Sequence, residues 1–372
     1  MVGRRRAFVS AGVSRGSMKR RLISIQYLRA LAAILVVFRH SLSPSAGIKA
    51  DLQGLDVIGP FRVDLFFIIS GFVIFLSTCD GRTRPVDFIK RRLIRVVPMY
   101  WFVTLFLIFC VAFLGLFQST TIRWQNAVMS LLFIPHFNFD NGEIYPLIFQ
   151  GWTLNYEILF YLIFGAALAV SAFYHAYVVL AVLMLAVAAG AVFEPSWAAW
   201  QTYTSPLLLE CAAGMGIAWL YVERRGFPAV FWCFVPLGVV LLAMSTPLQS
   251  MAPRVLLWGI PICMIVIGAI ALETNDRLPD LRIPALLGAA SYSIFLTHIY
   301  SLSLVHAVWR RLVGDVEGVA ISAIFVLVSV AVPCVIGTAV YLLLEKPMQS
   351  FLARFTAPAR AEARRPARTV SP

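Results

Sequence analysis

Apolar runs of about membrane-spanning length follow one another along most of the chain, separated by short polar or basic loops. Ten such runs, 24–43, 57–79, 96–117, 152–171, 174–193, 205–222, 228–246, 254–272, 285–307 and 318–345, predict ten helices. The expected fold class is all-α, a polytopic membrane helical bundle of about ten transmembrane helices. One membrane domain over 22–350 takes up nearly everything. A basic tail at 1–21 precedes it, and residues 351–372 follow as a basic, disordered tail rich in Ala, Arg and Pro. The longest loop is 118–151. Within it Trp124 to Pro135 is apolar enough to dip back into the bilayer, and His136, Asn138, Asp140, Asn141 and Glu143 form a polar cluster beside it.

Charge orients this pattern. The chain carries 31 Lys and Arg against 18 Asp and Glu, a formal net charge of +13. The basic residues gather at the N-terminus, at 80–95, at Arg224-Arg225, at 273–284 and in the tail after 345. An even number of spans with both termini cytoplasmic puts all five on the positive-inside face, and Arg310-Arg311 falls opposite and counts against it. Only 13% of residues are charged and 60% are hydrophobic, about half the charge of an ordinary soluble domain, which excludes a sizeable soluble unit. No readable basic face exists for nucleic acid. Six scattered cysteines have no metal or redox spacing, so they are small core residues, and no metal is expected. Arg5-Arg6 lacks the apolar stretch of a twin-arginine signal, and Met18-Lys19-Arg20-Arg21 marks Met18 as an alternative start.

The polar residues inside apolar runs are the candidates for chemistry, because ionisable groups in a membrane helix are costly. Arg29 and His40 lie eleven positions apart. That spacing is three turns plus roughly 20°, so they share one helix face about 16 Å apart along the axis. Either they open a polar path, or Arg29 snorkels and His40 caps the far end. Asp64, early in the second run, needs a cation: Arg62, or Arg39 or His40 of the first span. Arg92 and Arg95 are neighbours on a helix and suit either phosphate recognition or anchoring at the positive face. Glu157, with Trp152 and Tyr161 near it, suits a sugar hydroxyl or a favourable place in the helix dipole. His298 lies mid-span, as a functional group or in an interhelical hydrogen bond. Glu345-Lys346 reads as a salt bridge closing the last span.

Taken together, Arg29-x10-His40, Asp64-Leu-Phe-Phe-Ile-Ile-Ser-Gly-Phe, Arg92-x-x-Arg95 with Pro98-x-Tyr100, Trp152-Thr-Leu-Asn-Tyr-Glu157 and Ser291-Tyr-Ser-Ile-Phe-Leu-Thr-His298 resemble acyltransferase family 3 over roughly residues 20 to 350. These are integral-membrane O-acyltransferases of bacterial surface glycans, and the chain looks nearest their exopolysaccharide-acetylating branch. The family's fused extracytoplasmic hydrolase-like domain is absent from this sequence, and Arg39 stands before the histidine where an apolar residue is more usual. The resemblance implies a multi-pass protein of the bacterial inner membrane that moves an acyl group, usually acetyl, from cytoplasmic acyl-CoA to a glycan hydroxyl. It implies catalytic roles for His40, Arg29, Asp64 and Glu157. Arg92, Arg95 and Tyr100 would hold the coenzyme, and Trp152 and His298 the acceptor. His40 would act as general base in direct transfer, with an acyl-enzyme relay as the variant. Succinyl transfer, or a non-enzymatic transporter or glycan-export partner, are the competing expectations.

Overall fold

The computed structural model of the protein describes residues 22–42, 61–115, 122–138, 141–194, 196–245, 253–314 and 318–355. The N-terminal tail, residues 356–372 of the C-terminal tail, Ser43, Asp140 and residues 57–60 of the expected second span lie outside the described residues. Among those described, the chain is helical throughout, with an isolated bridge between Phe137 and Ile144 as the single extended pairing. In chain order the helices are α1 (Ile23–Ser41), α2 (Arg62–Leu76), α3 (Pro85–Leu114), α4 (Trp124–Leu131), α5 (Trp152–Val170) and α6 (His175–Val192). They continue as α7 (Ala198–Tyr203), α8 (Leu208–Arg224), α9 (Phe234–Ser245), α10 (Ile260–Thr274), α11 (Arg282–Leu312), α12 (Val319–Val340) and α13 (Lys346–Arg354).

Among the described residues eight helical stretches are long and apolar enough to cross a membrane: 23–41, 85–114, 149–170, 175–192, 198–224, 255–274, 282–312 and 319–354. The other two expected spans form helices that fall short of that length. α2 has 15 residues, and the apolar stretch Ala229–Ser245 is likewise short. The expected re-entrant segment is α4, eight residues long, with Trp124 and Leu132 exposed. Residues 351–354, expected in the disordered tail, continue α13.

Several of the long helices expose large apolar side chains, such as Phe113 in α3, Leu185 in α6 and Leu327 in α12. A lipid-facing helix needs no polar outer face, so this is the surface of a multi-pass membrane protein. Inside, small residues set the packing. A Cβ at Gly71 in α2 would sit 2.0 Å from the Cys211 carbonyl oxygen, and one at Gly214 in α8 would sit 1.9 Å from that of Ile68. α2 and α8 therefore touch backbone to backbone. Gly288 of α11 does the same against the Gln26 carbonyl of α1, where a Cβ would stand 2.0 Å away. These two contacts draw α1, α2, α8 and α11, the carriers of most polar candidates, into one centre. Two π-type turns, Val255–Gly259 and Tyr341–Glu345, interrupt long helices beside the charged residues described next.

Candidate active site

The chemistry-bearing residues of α1 open two polar regions, one at each end of the helix. At its C-terminal end the His40 ring stands 5.1 Å from the His298 ring, centroid to centroid, and 6.2 Å from Phe149, edge-on. His298 is fully buried, and its Nδ1 lies 2.7 Å from the Phe295 carbonyl oxygen one turn back. Its tautomer then carries the proton on Nδ1, since a carbonyl only accepts. Nε2 makes no hydrogen bond among the described residues and remains an acceptor pointing into the protein. Arg39 and Arg62 lie close enough to add positive potential at His40. Thr297 and Ser301, flanking His298, bond back to carbonyls of their own helix and leave the imidazole pair alone.

Arg29, three turns earlier on α1, donates to the Ser291 hydroxyl of α11 at 2.9 Å. It shares its surroundings with Arg95, Glu157, Tyr161 and Glu345, all within electrostatic range. Arg92 donates to Ser77 at 2.9 Å, and its guanidinium lies 5.6 Å from the Phe88 ring centre and 6.0 Å from that of Tyr161. The Tyr161 hydroxyl donates to Glu157, which Ser70 of α2 also reaches at 3.3 Å. Glu157 therefore belongs with the arginines, held one turn from Tyr161 on the same helix face. Tyr100 is buried, its ring tilted 36° to that of Phe133 with centroids 4.8 Å apart, and it closes on Gly151 between α3 and the start of α5.

Asp64 is fully buried and takes a two-pronged ion pair from Arg254, with Nε at 3.1 Å and the second guanidinium nitrogen at 2.8 Å. Sequence reading offered Arg62, Arg39 or His40 as its partner; the structure supplies Arg254 from the turn before α10. Arg254 also lies 4.9 Å above the Trp258 ring, and the buried Glu210 of α8 faces both charges. Helical spacing reveals neighbours within one helix, and these partners come from three helices, so no local pattern pointed to them. A clue did exist: Glu210 lies inside the apolar run 205–222, and Arg254 opens the run 254–272.

Glu345 likewise departs from expectation. Read as a salt bridge with Lys346, it is instead buried, accepts from Ser293 at 2.5 Å and from Gln349 at 2.9 Å, and adds a carboxylate beside Arg29 and Arg95. Of the expected site residues, the structure thus brings Arg29, Arg92, Arg95 and Glu157 together at one end and His40 and His298 at the other. Asp64 stands in a separate ion cluster. Trp152 lines a cavity of about 170 Å³ with Ile144, Asn155, Tyr156, Gln201 and Thr202.

The half-buried His40 and the buried His298 are thus joined by one helix to a cluster of arginines. The acyltransferase domain family matches residues 22–338, most of the chain. The chain belongs to this acyltransferase family. The exopolysaccharide production protein ExoZ of Rhizobium meliloti (strain 1021) is 34% identical over 296 residues, covering 78% of this chain and 90% of that protein. No solved structure matches the chain. As a membrane acyltransferase the protein requires an acyl donor and an acceptor.

Proposed function

We propose that the protein is an inner-membrane O-acyltransferase that moves an acyl group, most simply acetyl, from cytoplasmic acyl-CoA to a hydroxyl of an extracytoplasmic or lipid-linked glycan such as exopolysaccharide. The observation that carries this reading is the division of α1: Arg29 with Arg92 and Arg95 at one end, the His40–His298 pair at the other. The name of the Rhizobium relative supports exopolysaccharide as the glycan. The basic loop 80–95, together with Arg224, Arg225 and Arg277, supports a cytoplasmic placement of the arginine end, with ten spans and both termini inside.

The mechanism follows from these positions. The phosphates of the coenzyme meet Arg92, Arg95 and Arg29, and the acyl thioester reaches along α1 toward His40. The His40 imidazole takes the proton of the acceptor hydroxyl as its oxygen attacks the thioester carbonyl. A tetrahedral intermediate forms with its oxygen negative, and the positive potential of Arg39 and Arg62 favours that charge. Collapse breaks the carbon–sulfur bond. The coenzyme leaves as a thiolate and takes the proton from the imidazolium, so the ester product and free coenzyme balance the reactants. His298 packs against His40 and fixes its position for this exchange. Asp64, through Arg254, holds α2 in register beside it.

The test is the acyl content of the host's surface polysaccharide in the wild type, a deletion strain and a His40→Ala strain at equal membrane levels of protein. Acyl groups present in the wild type and missing from both others support the proposal. Unchanged acylation in the deletion strain overturns it.

A further inference from the structure

The cavity at the start of α5 has chemistry that the transfer mechanism leaves unused. Its walls are Trp152, Asn155 and Tyr156 from α5, Gln201 and Thr202 from α7, and Ile144 from the preceding loop. Its volume of about 170 Å³ is below the roughly 300–1,000 Å³ of a drug-sized site, so it accepts one ring rather than a run of them. Asn155 is decisive. It is 3% exposed, it lines the cavity, and its carboxamide makes no hydrogen bond among the described residues. Its two donors and its acceptor open onto the cavity and offer hydrogen bonds to a polar molecule that enters. The Tyr156 phenol lies within reach of the Thr202 and Ser205 hydroxyls, so the cavity presents several hydroxyl and amide groups from two helices.

Trp152 supplies the complementary surface. Its ring meets Tyr156 at 5.9 Å and Phe67 at 6.5 Å, near right angles to the first, and this packing fixes it as one wall. A flat aromatic wall beside convergent amides and hydroxyls matches a pyranose ring, which has an apolar C–H face and a rim of hydroxyls. Position adds to this match. Phe149, whose ring edges His40, precedes Trp152 by one turn, and Gln150 between them reaches the Leu296 carbonyl of the His298 helix at 3.5 Å. The segment 149–156 therefore runs from the imidazole pair to the cavity.

We propose that this cavity is a subsite for a single pyranose residue of the acceptor, seated on Trp152 and hydrogen-bonded by Asn155, Gln201 and Thr202. The subsite holds one sugar of the glycan while a hydroxyl of that residue, or of its neighbour, reaches His40. This inference rests on the acyltransferase reading above and assigns its acceptor side.

The test uses the full-length protein in detergent with acetyl-CoA as donor and two acceptor probes: oligosaccharides from the host's de-O-acylated exopolysaccharide, and methyl hexopyranosides. Steady-state kinetics are measured for the wild type, Asn155→Leu, Thr202→Val and Trp152→Phe. Each polar deletion is expected to raise the oligosaccharide KM about tenfold, the cost of one lost hydrogen bond in a buried site, with the acetyl-CoA KM unchanged. Trp152→Phe keeps a flat ring and is expected to raise it less. A methyl hexopyranoside that competes with the oligosaccharide in the wild type and not in Asn155→Leu confirms that one ring suffices. An unchanged oligosaccharide KM in well-folded Asn155→Leu and Thr202→Val, or a rise in the acetyl-CoA KM instead, overturns the subsite while leaving the transferase reading intact. A wild type that transfers nothing to either probe overturns both.

Discussion

His40 of α1 and His298 of α11 face one another with ring centroids 5.1 Å apart, although one ends the first described helix and the other lies in the middle of the eleventh. Backbone contact at Gly288 brings these two helices close enough for the rings to meet. In the proposed mechanism His40 is the base and His298 positions it, so their substitutions should differ.

His40→Ala is expected to lower acyl transfer by about 10²–10⁴, the usual contribution of a general base. His298→Ala, which disturbs only placement, should cost less, of the order of tenfold to a hundredfold. Rates from radiolabelled acetyl-CoA would show the order. Equal and small losses for both would remove His40 from the chemistry.

At the other end of α1, Arg29→Gln and Arg95→Gln should raise the acetyl-CoA KM about tenfold and leave the acceptor KM alone, because a charged hydrogen bond to phosphate is lost. Arg92 already donates to Ser77 and lies over Phe88 and Tyr161, so Arg92→Gln should also lower thermal stability. Kinetics paired with melting curves in detergent separate the two effects.

Asp64 is fully buried and Arg254 partly exposed, which makes the pair asymmetric. Arg254→Gln strands a buried carboxylate and should cost about 3–5 kcal/mol. Asp64→Asn leaves a guanidinium that can still turn toward water and should cost less. The double variant is expected to be more stable than the sum of the two predicts. Additive losses in the cycle would mean the two residues do not interact.

Glycine packing offers a control within one helix. Gly214→Ala drives a methyl into the Ile68 carbonyl, 1.9 Å away, while a Cβ at Gly216 meets nothing within 4 Å. Gly214→Ala should reduce the yield of monodisperse protein severalfold, and Gly216→Ala should leave it unchanged. Size-exclusion profiles of the two proteins decide the matter.

Much of this arrangement was legible in the chain. Spacing within one helix was readable: Arg29 and His40 lie on α1, and Arg92 and Arg95 are neighbours on α3. Tyr100 is buried between the Phe133 ring and Gly151, contacts that no spacing within α3 announces.

The amino-acid sequence alone determined the class of the protein, the succession of apolar helices, the basic loops and the polar residues too costly to be idle in a membrane. Those properties are local: hydrophobic length, charge and the 3.6-residue period act within a single segment. Only tertiary structure decided the partners. Arg254 for Asp64, Ser291 for Arg29, Ser293 for Glu345, His298 for His40 and the cavity around Asn155 all join residues of different segments. A helix's periodicity says which side chains share a face, and nothing in it says which helix that face meets. In this fold close approach at Gly71, Gly214 and Gly288 made that choice, because two backbones touch only where no Cβ stands between them.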